Sequence, residues 1–141
     1  MDAPNDFERW QFAIGKLIFS CARVEYEILK LYNKWLPKRD FHKDKFKQKY
    51  DVTIGIVKSK FGKEHELVMQ LIEMKSYASI RHAVAHTPVH YSHEYYDWRF
   101  FDLKSNLISF NILELEKISK KAELDSIILS MNLRVNLKRL E

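Results

Sequence analysis

Residues 6–36 read DFERWQFAIGKLIFSCARVEYEILKLYNKWL. Apolar side chains recur there at Phe7, Trp10, Ile14, Leu17, Cys21, Val24, Ile28, Leu31 and Trp35. The steps alternate between three and four, the repeat of a single buried stripe along an α-helix. Ile18, Leu29 and Tyr32 widen the stripe. Asn5 and Glu8 form an N-capping pair at its start, and Pro37 ends it. A helix this long, apolar along one side, needs other elements to cover that side. Only three Gly and three Pro occur in 141 residues. That is too few turn residues for an all-β sandwich, so the sequence predicts a mostly α fold.

Working outward, a second helix is expected over residues 43–61. Phe46, Tyr50, Ile54, Val57 and Phe61 mark its apolar side, and Gly62 is its C-terminal cap. A third is expected over residues 63–86. There Leu67, Leu71, Met74, Ala78 and Ala85 lie near one line, with Val68, Ile72, Ile80, Ala83 and Val84 on another side. Apolar over much of its surface, it should be central, and Thr87-Pro88 stops it. The texture then changes. Residues 89–96 are rich in His and Tyr, and residues 98–102 and 107–111 flank Lys104-Ser-Asn. This reads as a β-hairpin or bent extended loop. Asn111 and Glu114 form another capping pair before a last helix over residues 112–140. Leu115, Ile118, Leu124, Ile127, Ile128, Met131, Val135 and Leu137 are candidates for its buried side. The expected architecture is one domain, residues 1–141: a bundle of four to five helices with a hairpin or extended loop before the last.

Hydrophobic residues are 46% and charged residues 30%, a balance that excludes intrinsic disorder. The lone Cys21 cannot form an intrachain disulfide and suits a reducing compartment. No apolar run reaches the roughly 18–20 residues that cross a bilayer, and the acidic N-terminus lacks a signal-peptide charge pattern. A cytoplasmic protein without membrane partners is expected. The net charge is +5. From Lys38 to Lys63 there are nine Lys or Arg against three Asp. That stretch therefore carries the whole excess. Such a patch, with Lys43, Lys45, Lys47 and Lys49 at its centre, fits a polyanion such as RNA as well as a solvated lysine-rich face.

The most informative segment is Ser79-Ile-Arg-His-Ala-Val-Ala-His-Thr-Pro. With about 100° per residue, one helix face carries Arg81, His82 and His86, with Ala78 and Ala85 between them. Small residues let a second helix approach, and a symmetry mate would add its own Arg and His to the groove. Arg81-His82-Ala-Val-Ala-His86 has the form R-x4-H with a polar residue after the Arg. It resembles the ribonuclease motif of the HEPN superfamily (higher eukaryotes and prokaryotes nucleotide-binding domain). Its place at the end of a long central helix in a small, basic, helical protein is similar too. So is the first helix, with Gly15, Phe19, Val24-Glu25 and Leu29.

The resemblance implies a HEPN-like bundle and a metal-independent endoribonuclease that needs no cofactor. It further implies a composite site at a homodimer interface and the role of a toxin or phage-defence effector. Arg81 and His86 fall on the catalytic positions, and His82 on the polar one. Glu25 is the candidate for a supporting acid on the first helix. An antitoxin or regulatory protein is an implied partner. The chain departs from some toxin members at one place: where they carry a Tyr two residues after the His, Pro88 stands here, and the nearest Tyr is Tyr91.

The chemistry suits these residue types. RNA supplies its own 2′-OH nucleophile. Cleavage needs a base for that proton and an acid for the leaving 5′ oxygen, tasks for imidazoles. A guanidinium meets the charge that builds in the transition state. The lysine stretch would hold phosphates and Tyr91 would stack a base. Other readings stand beside this one. The cluster could be a helix end whose cations favour the dipole, a HEPN-like dimer that binds RNA, nucleotide or protein without cutting, or a metal site. His82, His86, His90 and His93, spaced 4, 4 and 3, would gather only on an unbroken helix.

Overall fold

The structure, a computed structural model, describes residues 3–86, 89–101 and 109–139. The first helix, α1, spans Ala3–Trp35. It begins before Asn5, so the expected cap lies inside the helix. Trp10, Leu17, Cys21, Val24, Ile28, Leu31 and Tyr32 are buried along it, as the 3–4 repeat requires. Phe7, at the start of the expected stripe, is exposed instead. A single 3-10 turn at Phe41–Lys43 then precedes α2, Phe46–Phe61. That turn takes Lys43 out of the second helix, which starts where the Gln48 side chain accepts the Lys45 N–H at 2.9 Å. Gly62 closes α2 at φ 97, and its N–H donates to the Lys58 carbonyl at 3.0 Å. Only glycine adopts that φ without strain. The third helix, α3, spans Glu66–His86, and the His65 ring nitrogen accepts the Leu67 N–H at its start.

Three antiparallel strands follow: β1 (Val89–Ser92), β2 (Asp97–Phe101) and β3 (Ser109–Asn111), in that order. Val89 lies opposite Phe100, and Phe100 opposite Phe110. β1 is more than the expected hairpin held. The expected stop at Thr87-Pro88 and the turn at Lys104-Ser-Asn lie outside the described residues, as does Leu140. The last helix, α4, spans Ile112–Arg139. The Asn111 side chain accepts the Glu114 N–H at 2.9 Å, the cap that the sequence indicates.

α4 runs parallel to α1. Arg9 pairs with Glu116, Arg23 donates to the Ser126 hydroxyl at 2.9 Å, and Arg134 donates to Glu27 at 2.9 Å. Here the structure corrects the sequence reading. The buried side of α4 is Leu115, Ser119, Ala122, Ser126, Leu129 and Leu133. Leu124, Ile127, Ile128, Met131 and Val135 point to solvent. Small residues bring α4 close to α1, and the Ser119 and Ser126 hydroxyls are satisfied within the helix. Ser119 donates to the Glu116 carbonyl at 3.1 Å, and Ser126 to that of Glu123 at 2.8 Å.

α3 packs antiparallel against both helices, and α2 lies on α3. One apolar cluster joins the middles of the four helices. A second, smaller one joins Trp10, Ala13, Val84, Phe100, Ile112 and Leu115, where the sheet closes the end of the bundle.

Asp44 ties the chain after α1 to its end. It accepts from the Tyr32 hydroxyl at 2.7 Å and from Arg39 at 2.7 and 3.1 Å. The Arg39 guanidinium, then the Tyr32 hydroxyl, hold its carboxyl below the usual range. A carboxylate lowered on folding adds stability above its unfolded pKa of about 4 and loses it as pH falls through the folded value. Thermal unfolding should therefore drop more steeply below about pH 4 in the wild type than in Arg39→Ala. Superimposable acid limbs would refute this.

Candidate active site

α3 buries different sides along its length. Leu67, Leu71, Met74 and Ala78 face the main cluster, whereas Val84 faces the second one, with Ile80 and Ala83 against it. The side that is buried near Leu71 therefore emerges in the last turns. It carries Arg81, half-buried, and His82, Ala85 and His86, all exposed. Ile80, Ala83 and Val84 point toward the core, as the sequence implies. The paired-alanine seam is not available, because Ala78 is only 3% exposed and belongs to the chain's own core. Only the turn with Ala85 remains open to a second helix.

Contacts from two other helices converge on this end. The His82 ring lies 5.1 Å from Phe46, at the first turn of α2, and 4.7 Å from the His86 ring. On α1, burial pushes the Cys21 thiol up to about 12; Glu25 adds to the rise and Arg81 opposes it. Cys21 is thus held protonated and unreactive. The Tyr50 hydroxyl is raised too, by burial and then by Cys21 and Glu25. It is fully buried and has no hydrogen-bond partner among the described residues. Glu25, half-buried on α1, and Arg81 on α3 therefore both act on the Cys21 thiol. Phe46 and Tyr50 are site neighbours that sequence reading placed only in the core. Their one signal is position: they open the helix that returns toward the end of α3.

The basic stretch divides in two. Lys43, Lys45 and Lys47 are exposed around the start of α2, in the segment that contains Phe46. Lys49 is turned to the Phe41 ring, 4.0 Å from its centroid. Lys58, Lys60 and Lys63 lie at the other end of α2, roughly 20 Å away along its axis. Tyr91 is half-buried on β1. Its ring packs edge-on to Trp98 at 5.9 Å and to His93 at 5.2 Å. Among the described residues no ring contact joins it to His82 or His86. The Tyr95 ring is taken by Arg99, at 4.0 Å, while Tyr96, at φ 56, is 81% exposed.

The four histidines do not share one helix. The helix ends at His86, and His90 and His93 lie on β1 and the turn beyond it. Among the described residues no three His, Cys, Asp or Glu gather to hold an ion. What remains on one side of the end of α3 is two exposed imidazoles and a half-buried guanidinium. Such a set offers proton acceptors and donors together with a fixed positive charge for a phosphodiester. Compared with protein families, curated proteins and solved structures, the chain matches none. No helix of the described residues is long and apolar enough to cross a membrane.

Proposed function

We propose that the chain is a HEPN-type endoribonuclease, working without a metal as a homodimer, in the role of a toxin or defence effector. One observation carries the reading: half-buried Arg81 and exposed His82 and His86 share one side of the last turns of α3, with the His82 ring against the His86 ring and against Phe46 at the start of α2. In this reading His86 and His82 exchange protons with the 2′-OH and the leaving 5′ oxygen. Arg81 neutralises the non-bridging oxygens as charge builds on phosphorus. Lys43, Lys45 and Lys47 hold the flanking phosphates. Lys49 and Tyr91, turned to Phe41 and Trp98, would reach RNA only by leaving those rings. A partner copy adds groups from the opposite side of the phosphate through the turn that holds Ala85.

The test is labelled RNA incubated with the protein in excess EDTA. Cleavage to fragments that end in a 2′,3′-cyclic phosphate is expected. RNA that is bound but never cut would overturn the nuclease reading in favour of a binding module. Strict dependence on added metal would overturn it as well.

A further inference from the structure

The side of α1 and α4 that faces away from the core mixes bare apolar side chains with cations. On α1, Phe12, Phe19 and Tyr26 recur every seven residues, and Phe19 is 75% exposed. On α4, Leu124, Ile128, Met131 and Val135 repeat by four and three, and all are exposed. The contacts of Arg23 with Ser126 and of Arg134 with Glu27 set the two lines side by side. Phe19 is then level with about Leu124, and Tyr26 with about Met131. Cations stand among them. Lys16 lies 4.7 Å over the Phe12 ring, and Lys30 4.5 Å over the Tyr26 ring. Arg23 and Arg134 occupy the seam between the helices, and Lys117, Lys120 and Lys138 are exposed on α4. Against these stand exposed Glu8 and half-buried Glu123, while Glu116 is taken by Arg9.

We infer that this face lies on an anionic lipid bilayer, with α1 and α4 in the plane of the interface. The core of a protein–protein interface is depleted of charge, and a seam of arginines would divide it. The headgroup region is wet, and its phosphate oxygens accept from guanidinium and ammonium groups. There the aromatic and aliphatic side chains sink below the phosphates. The Lys and Arg stems lie along them while their charged ends stay at headgroup level. Phe12 with Lys16 and Tyr26 with Lys30 already hold that pairing of ring and ammonium. The excess of cations over Glu8 and Glu123 suits a negatively charged leaflet and not a neutral one. A second copy of the chain would meet these cations with its own. The expectation of no membrane partner followed from the lack of a spanning run, whereas a helix pair that lies on the surface needs only one amphipathic face. The face includes no residue of the candidate active site, and the inference does not rest on the ribonuclease reading.

Cosedimentation of the full chain with large vesicles tests it. Binding is expected to phosphatidylcholine vesicles that contain about 40% phosphatidylglycerol, and about tenfold weaker binding or less to phosphatidylcholine alone. Phe19→Ser with Met131→Ser should weaken binding about tenfold or more with unchanged circular dichroism, both residues being on the surface. Lys117→Glu with Lys120→Glu should also cost about tenfold or more, each cation at the surface being worth about fivefold. Lys58→Glu with Lys63→Glu makes the same change of net charge at the far end of α2 and should cost about threefold or less. No binding to the anionic vesicles overturns the inference. So does binding that Phe19→Ser with Met131→Ser leaves intact, which would be charge attraction alone and equally open to RNA. Equal losses from the two lysine pairs overturn the choice of face. Arg81→Ala should bind vesicles like the wild type whatever becomes of RNA cleavage, and loss of binding there would overturn the assignment in favour of the end of α3.

Discussion

Changing His86 to alanine is expected to slow RNA cleavage by about 10²–10⁴-fold, the range for losing a positioned acid or base. The fold should not notice. His86 is exposed in the last turn of α3, where surface substitutions stay within about 0.5 kcal/mol. Arg81→Ala should give a loss of similar size. Arg81→Lys should recover little of it, because a point charge does not reproduce the two-pronged contact of a guanidinium with phosphate oxygens. Single-turnover cleavage of a labelled RNA, with thermal unfolding of each variant alongside, measures both sides. Variants that cut as fast as wild type would remove Arg81 and His86 from the chemistry.

The second large effect is structural. Phe100 is fully buried on the middle strand, stacked on Phe110 at 6.1 Å. It fills the cluster that Val84 enters from α3 and Trp10 from α1. Phe100→Ala removes most of that filling and should cost about 3–5 kcal/mol, a large share of a typical total of about 5–15. Urea unfolding measures it. The same cluster decides which side of α3 is buried after Ala78. Loosening it should release the turn that presents His82 and His86, so cleavage should fall although Phe100 touches no RNA. A change below about 1 kcal/mol would show that the sheet contributes little to the bundle's end.

The helices were legible where one apolar side was unambiguous. In α1 the 3–4 repeat named the buried residues from Trp10 to Tyr32, and Asn111 and Gly62 marked two helix ends that the structure keeps. In α4 the same method found Leu115, Ile118 and Leu137 but took five residues of the solvent side, Leu124, Ile127, Ile128, Met131 and Val135, with them. That helix has two apolar-compatible sides about 180° apart, one of bulky aliphatics and one of Ser119, Ala122 and Ser126 between leucines. Hydropathy favours the bulky side. Close approach to α1 favours the small one, and the second effect depends on a neighbour 100 residues away. The candidate site shows the same division. Local order put Arg81, His82 and His86 on one helix face, but the burial of Ala78, the Phe46 contact of His82 and the action of both Glu25 and Arg81 on Cys21 depend on where α1 and α2 come to lie. The lysine stretch misled in one respect, since a run of charge in sequence is spread along a helix axis in space.

The parallel pairing of the first and last helices carries a consequence for how the protein is made. Its clamps join residues 103 or 107 positions apart. At about 5–20 residues per second, a nascent chain holds its opening helix for several seconds before the closing one leaves the ribosome. Throughout that interval the seam side of the opening helix has no mate, and chaperones have time to engage it. Any transcript that stops before about residue 112 yields a product that can never complete its bundle, and quality control should clear it.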